Sequence, residues 1–158
     1  MKKLMRFIMV ISFLSYLGAL TVLLFFISRG FWSDMPLMEY MKLSSNFVPF
    51  KTIIGYVLAI SNGSMNLIIP IKNLAGNMAA FLPMGIFLPY FIRALNKLKS
   101  FAVTMAVMIL SVEIIQLVTR RGSLDIDDFI LNIIGALIGF GLWKAIIARK
   151  LGDNAVNV

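Results

Sequence analysis

Long apolar segments alternate with short polar ones along most of this chain. Residues 7–27, 74–92, 101–119 and 129–147 each approach the roughly 20 residues that a helix needs to cross a bilayer core. A weaker apolar stretch, residues 53–71, is interrupted by Ser61-Asn62-Gly63-Ser64, and we interpret it as an interfacial or re-entrant segment that ends in a turn. The pattern predicts an all-α integral membrane bundle of four transmembrane helices with one interfacial or re-entrant segment.

Composition supports a membrane protein with a single bundle. Of the 158 residues, 60% are hydrophobic and the mean hydropathy is +0.93, whereas globular domains are about 45–50% apolar. We divide the chain into an N-terminal transmembrane helix with its outer loop (1–45), a membrane domain (46–148) and a short tail (149–158).

The basic residues set the expected orientation. With four spans, three groups of basic residues fall on one side of the membrane, which the positive-inside rule makes cytoplasmic. The other side carries the acidic residues, mixed with Arg29, Lys42, Lys51, Lys72, Arg120 and Arg121. We therefore expect a multi-pass protein of the cell (plasma) membrane with both termini in the cytoplasm. Anchoring beside anionic lipid explains the net charge of +8, so we expect no nucleic acid partner. The groups are Lys2, Lys3 and Arg6, then Arg93, Lys97 and Lys99, then Lys144, Arg149 and Lys150.

The absence of Cys and His from the sequence narrows the chemistry. It excludes thiol nucleophiles, Ser-His and Cys-His catalysis, and common zinc sites. Any catalysis would depend on Asp, Glu, Lys, Arg, Ser or Tyr. We predict no cofactor and no metal site.

Glu113 is the most informative residue, because it lies in an otherwise apolar span. A carboxylate there costs about 2.5–3.5 kcal/mol by insertion scales, which makes it a functional-site hypothesis. At 1.5 Å per residue it lies about 9 Å from the outer end of its helix, with Gln116 on the same face. The neighbouring spans bring Asn73, Asn77 and Asn132 to similar depth. These polar groups should face one another or a wet cavity, although polar residues also serve as packing contacts between membrane helices.

The loop TRRGSLDIDD, residues 119–128, adds charges beside this cluster. Asp127 or Asp128 is expected to cap the last span. Together with Asp125, the loop could close over the cluster through ion pairs or bind a divalent cation. Arg120 and Arg121 could bind a phosphate or carboxylate. The predicted ligand-binding residues are Asn77, Glu113, Gln116, Arg120, Arg121, Asp125, Asp128 and Asn132.

Gly135 and Gly139 form a Gly-x-x-x-Gly pattern on the last span. Small residues at this spacing let two helices approach closely. The pattern fits packing within the bundle and dimerisation equally well.

Four separated blocks carry a resemblance to a known family. NFVPF (46–50), NLAGNMAAFLPMGIFLP (73–89), SVEIIQ (111–116) and DIDDFILNIIGALIGF (125–140) resemble the VanZ-like family in sequence and order. The resemblance implies a small bacterial membrane protein of the cell envelope, and the best-known member is associated with teicoplanin resistance. The family's polar positions correspond here to Asn77, Pro83, Gly85, Glu113, Gln116, Asp125, Asp128, Asn132 and Gly135.

The leading functional hypothesis is a non-enzymatic envelope protein that binds membrane lipid or a lipid-linked amphiphile at an outer-leaflet polar site, and that contributes to glycopeptide resistance. One alternative is a membrane enzyme acting on a lipid headgroup or a lipid-linked cell-wall precursor, with Glu113 as general acid or base. Another is a structural or regulatory subunit of an envelope complex, acting as a homodimer or with a membrane partner.

Overall fold

The computed structural model describes residues 2–27 and 35–156, with side chains for 3–27 and 35–147. Of the predicted basic groups, the side chains of Lys2, Arg149 and Lys150 lie outside the described set, as do all side chains of the 149–158 tail. The elements in chain order are α1 (Lys2–Val22) continued by a π-helical segment (Leu23–Ile27), α2 (Leu37–Leu43), β1 (Ser45–Asn46), α3 (Lys51–Asn62), α4 (Ile68–Phe91), a 3₁₀ turn (Arg93–Asn96), α5 (Leu98–Val118), β2 (Leu124–Asp125) and α6 (Ile126–Val156).

Four helical segments in the described part of the chain are long and apolar enough to cross a membrane. They are Lys3–Ile27, Ile68–Phe91, Leu98–Val118 and Ile126–Ile147. The predicted all-α membrane bundle of four spans is therefore confirmed. The second span begins six residues earlier than expected, at Ile68 rather than residue 74.

The segment before α4 forms a helix that is too short to span. α3 has 12 residues, or roughly 18 Å at 1.5 Å per residue. It ends where the sequence predicts a turn: Gly63 adopts the left-handed conformation (φ 66°) and the Ser64 N–H donates to Asn62 Oδ1 at 2.9 Å. Glycine adopts this conformation at little cost, so it ends the helix cleanly.

α4 and α6 form the closest helix pair, and glycines allow it. A Cβ on Gly135 would collide with the Met78 backbone, and one on Gly139 with the Leu82 carbonyl. From the other side, a Cβ on Gly85 would meet the α6 backbone. The Gly-x-x-x-Gly face is therefore occupied by α4 within the same chain.

Large apolar side chains fill the rest of the core. Phe101 of α5 stacks on Phe140 of α6 with ring centroids 4.7 Å apart, and Met105 and Ile109 are fully buried on the same face of α5. α1 packs more loosely, through Phe13 against the rings of α4. Many large apolar side chains of the four spans are exposed, as expected for a helix bundle whose outer surface faces lipid.

A two-residue parallel strand pair ties two connections together. Ser45 pairs with Leu124 and Asn46 with Asp125. The pair lies where α1 and α5 end and α4 and α6 begin. We call this the acidic end of the bundle, because Asp125, Asp127 and Asp128 lie there; the opposite end carries Arg93, Lys97, Lys99 and Lys144 and is called the basic end.

Candidate functional site: a polar cavity at the acidic end

A cavity of about 760 Å³ opens at the acidic end between all four spans. Polar side chains from α4, α5 and α6 line it, and apolar side chains from the end of α1 complete its wall. Five of the eight predicted ligand-binding residues line this cavity: Asn77, Glu113, Gln116, Asp128 and Asn132. Their convergence agrees with the depths expected from the helical rise, and ligand binding by these residues stays a prediction.

A chain of hydrogen bonds crosses the cavity wall from α3 to α6. Asn73 Nδ2 donates to the Tyr56 hydroxyl at 3.0 Å, and Asn77 Nδ2 lies 3.5 Å from Asn73 Oδ1. The Asn77 amide also donates to Asp128 Oδ1. Burial, and then the charges of Asp128 and Asp125, raises the pKa of Tyr56. Its phenol therefore stays protonated at neutral pH and can still donate.

The carboxyl and amide groups of α5 are buried deeper in the wall. Glu113 is 5% exposed and Gln116 is 7% exposed. Gln116 Nε2 donates to the Leu24 carbonyl at 2.8 Å, which ties α5 to the end of α1. The segment Leu23–Ile27, which carries this carbonyl, is π-helical.

Asn132 is the least satisfied polar residue of the site. It is 4% exposed, and its Nδ2 lies 3.5 Å from Glu113 Oε1, at the long limit for a hydrogen bond. Its Oδ1 is buried and has no hydrogen-bond partner among the described residues. Leaving a buried acceptor unpaired costs about 1–3 kcal/mol. A group that donates to this oxygen from the cavity would recover that energy.

The three loop aspartates have three different roles. Asp127 is fully buried and caps α3, accepting from the backbone N–H of Phe50 at 2.5 Å, Thr52 at 2.7 Å and Ile53 at 3.1 Å. Asp125 caps α6, since its Oδ1 accepts from the Asp127 N–H at 2.9 Å. Asp128 lines the cavity. The prediction that Asp127 or Asp128 caps the last span is therefore wrong, because Asp125 takes that position.

Asp125 is a structural group rather than a lining residue. It accepts from Asn46 Nδ2 at 3.0 Å and from the Thr52 hydroxyl at 2.6 Å, besides capping α6. It therefore joins the NFVPF segment to the loop before α6. Its carboxylate oxygens are engaged by these donors, outside the set of side chains that lines the cavity.

The arginine pair also lies outside that set. Arg120 adopts a positive φ of 56°, and its guanidinium lies 6.0 Å from the centre of the Tyr40 ring, at the limit of a cation–π contact. Tyr40 in turn donates to the Gly122 carbonyl at 2.8 Å. The N–H of Arg121 donates to the Gln116 carbonyl at 2.8 Å and closes the end of α5. A ligand-binding role for the two arginines remains a prediction.

Comparison with known families now identifies the chain. The family model described as VanZ/LLP1 matches residues 13–148, most of the sequence. The chain belongs to the VanZ/LLP1 family. The resemblance read from the four sequence blocks is thereby confirmed. No curated protein and no solved structure gave a significant match.

In this VanZ/LLP1 chain, several cavity residues were missed by sequence reasoning. Lys72 lines the mouth one residue before Asn73, and Ser123 lines it from the loop. The Lys72-Asn73 pair at the start of a span was a usable signal. Tyr56 does not line the cavity but accepts from Asn73, and the sequence gave no signal for it, because only folding brings α3 beside α4.

Chemically, the site combines hydrogen-bonding amides, two carboxylates and one ammonium group beside an apolar wall. These groups suit a polar headgroup attached to an apolar chain. Among the described residues, no three Asp or Glu side chains converge as ligands for a metal ion.

Proposed function

We propose that this VanZ/LLP1 protein binds an amphiphile of the outer leaflet, with the polar headgroup in the acidic-end cavity. The convergence of Asn77, Glu113 and Asn132 from three spans on one cavity carries this proposal. Its volume of about 760 Å³ falls within the 300–1,000 Å³ typical of small-ligand sites. Buried polar groups are costly in lipid unless they meet partners, and a headgroup would supply them.

The charge distribution supports an outward-facing cavity. Arg93, Lys97, Lys99 and Lys144 are exposed at the basic end. The positive-inside rule places that end in the cytoplasm, so the cavity belongs to the outer half of the membrane. With the four spans found among the described residues, we infer that both termini are cytoplasmic.

We propose that amphiphile binding at this cavity contributes to glycopeptide resistance in the cell. A glycopeptide with an acyl chain, such as teicoplanin, is itself an amphiphile, and it acts beside the outer leaflet. Expression in a susceptible host should raise the inhibitory concentration of teicoplanin more than that of a glycopeptide without an acyl chain. Glu113→Gln should remove the difference, and an unchanged difference would remove the site from the explanation.

Native mass spectrometry in mild detergent tests binding itself. We expect the wild type to carry a lipid or precursor adduct that Glu113→Gln and Asn132→Leu lose, while Ser111→Ala retains it. Ser111 is the matched control because it is exposed on the same helix as Glu113 and donates to the Val107 carbonyl. Loss of a hydrogen bond between a ligand donor and the Glu113 carboxyl group, worth about 1–3 kcal/mol, should reduce occupancy roughly fivefold or more. Equal adducts in all four proteins would contradict the proposal.

A membrane enzyme is the second candidate, because Glu113 and Asp128 line the same cavity. Two carboxylates in different environments can act as general acid and general base on a lipid headgroup. Lys72 lines the cavity and could hold an anionic group, in place of the predicted arginines. Turnover of a labelled lipid in proteoliposomes, absent with Glu113→Gln, would favour catalysis over simple binding.

A role as a subunit of an envelope complex would need a surface other than the glycine face. α4 packs against the face of α6 that carries Gly135 and Gly139, so a homodimer or membrane partner must contact another part of the bundle. Co-purification of a stable stoichiometric partner would support this third alternative.

A further inference from the structure

We propose that the amphiphile is a lipid with an ammonium headgroup, whose N–H groups donate to Glu113, Asp128 and Asn132 while an acyl chain lies in an apolar groove between α1 and α4. This inference rests on the proposed function and names the ligand class.

The unpartnered oxygen of Asn132 defines what the ligand must offer. Asn132 is 4% exposed and lines the cavity, and its Oδ1 has no donor among the described residues. A buried acceptor needs a donor, so a ligand group reaching this oxygen must carry N–H or O–H. A phosphate oxygen or a quaternary amine cannot supply one.

The groups beside Asn132 are also acceptors. Glu113 Oε1 lies 3.5 Å from Asn132 Nδ2. Asp128 lies one turn before Asn132 on α6 and lines the same cavity. The Asn77 amide occupies one site on Asp128, whereas a carboxylate has about four lone-pair sites. An ammonium group has three donors and a positive charge, which matches two carboxylates and one amide oxygen.

Lys72 offers a place for a phosphate farther out. It lines the cavity from α4, five residues before Asn77, which is roughly 7.5 Å along the helix axis. A zwitterionic headgroup could thus place its phosphate near Lys72 and its ammonium deeper, beside Asp128. An anionic headgroup lacking the ammonium would meet carboxylates in the deeper part.

The apolar groove gives the acyl chain a place next to the headgroup. A second cavity of about 550 Å³ lies between Tyr16 and Leu20 of α1 and Ala79 and Pro83 of α4, among other apolar residues. It shares the lining residues Leu23, Ile27 and Ala80 with the polar cavity, so the two cavities are adjacent. We assign the headgroup and the acyl chain of one amphiphile to these adjacent cavities.

Lipid titrations with the purified full-length protein test the class. The probes are phosphatidylethanolamine, phosphatidylcholine and phosphatidylglycerol with identical acyl chains, and water-soluble glycerophosphoethanolamine, each followed by native mass spectrometry. We expect phosphatidylethanolamine to bind at least tenfold more tightly than phosphatidylcholine, which keeps the charge but lacks N–H donors. The soluble headgroup should bind at least tenfold more weakly than the lipid.

Variants separate the headgroup contacts from the chain groove. Asn132→Leu should reduce the preference for phosphatidylethanolamine over phosphatidylcholine, because one of the three acceptors is lost. Ala79→Phe should fill the groove and weaken every lipid, whereas Ala75→Phe should not, because Ala75 is exposed on α4 and lines neither cavity.

The outcomes distinguish the two proposals. Equal binding of phosphatidylethanolamine and phosphatidylcholine, or tighter binding of phosphatidylglycerol, would overturn the ammonium class and leave amphiphile binding standing. Equal binding of the soluble headgroup and the lipid would overturn the groove assignment. If no probe binds and no lipid co-purifies, the proposed function itself fails.

Discussion

Replacing Gly135 with alanine should force α4 and α6 apart beside the cavity. The added Cβ would lie 2.7 Å from the carbonyl carbon of Met78 and closer still to its oxygen. Nonbonded carbon atoms prefer about 3.5–4.0 Å, so the helices must separate by roughly 0.8 Å or more. The colliding Met78 atoms belong to the backbone of α4, and the added Cβ is fixed to the backbone of α6, so neither can rotate away. The displacement lies next to Asn77, whose bond to Asp128 joins the same two helices.

The energetic cost follows from overpacking a rigid interface. Inserting a methylene into a packed core typically costs about 1–3 kcal/mol, and we expect the upper part of that range here. Gly141→Ala is the matched control on α6, since a Cβ there meets nothing within 4 Å. That substitution should be neutral or stabilise the helix by up to about 1 kcal/mol.

Unfolding in detergent micelles, followed by circular dichroism against added denaturing surfactant, measures the difference. Gly135→Ala should unfold earlier than wild type and Gly141→Ala should not, with both proteins in the same oligomeric state. Identical curves for the two variants would show that α6 does not contact α4 at Gly135. A dimer that Gly135→Ala converts to monomer would instead assign the glycine face to self-association.

Three further predictions concern the loops and the orientation. Asp127→Asn should lower the free energy of unfolding by about 2–4 kcal/mol, because a buried acceptor of three backbone N–H groups is weakened. The rate of hydrogen exchange at the start of α3 should also rise. Glu39→Gln, at an exposed position, should change neither the free energy of unfolding nor the exchange rate. Trp143→Phe should cost about 1 kcal/mol, since the indole donates to Asn96 Oδ1 at 2.9 Å at the basic end; unchanged thermal unfolding would contradict that bond. The chain has no native cysteine, so single cysteines can report the topology. Ser64→Cys should react with an impermeant thiol reagent on intact cells, whereas Lys99→Cys should react only after lysis. The reverse result would invert the proposed topology.

The four spans and the five residues that line the cavity could be predicted from the sequence, because their positions depend on the thickness of the bilayer and on the rise per residue of the α-helix. Bilayer thickness fixes the length of an apolar helix, and the helical rise fixes the depth of each polar side chain along it. Glu113 and Asn132 come within hydrogen-bonding distance because their helices run in opposite directions from the same end.

The loop residues could not be assigned in the same way. Asp127 caps α3, which is 74 positions or more away along the chain, and no local pattern announces such a partner. Arg120 adopts a positive φ after α5 and its guanidinium lies 6.0 Å from the centre of the Tyr40 ring, and no local sequence pattern predicts either feature. The partner of Gly135 and Gly139 could not be assigned from the sequence either. Their spacing predicts a close contact between two helices, but it does not determine whether the second helix belongs to the same chain.

Photo-crosslinking with a lipid that carries a diazirine on its acyl chain tests the central claim most directly. In proteoliposomes, crosslinks to wild type should concentrate on residues that line the groove, in segments 16–27 and 79–83. Glu113→Gln should remove this concentration while exposed positions elsewhere on the bundle keep their background labelling, because the headgroup is no longer held in the cavity. Labelling spread evenly over the lipid-facing surfaces, and unchanged by Glu113→Gln, would contradict the account.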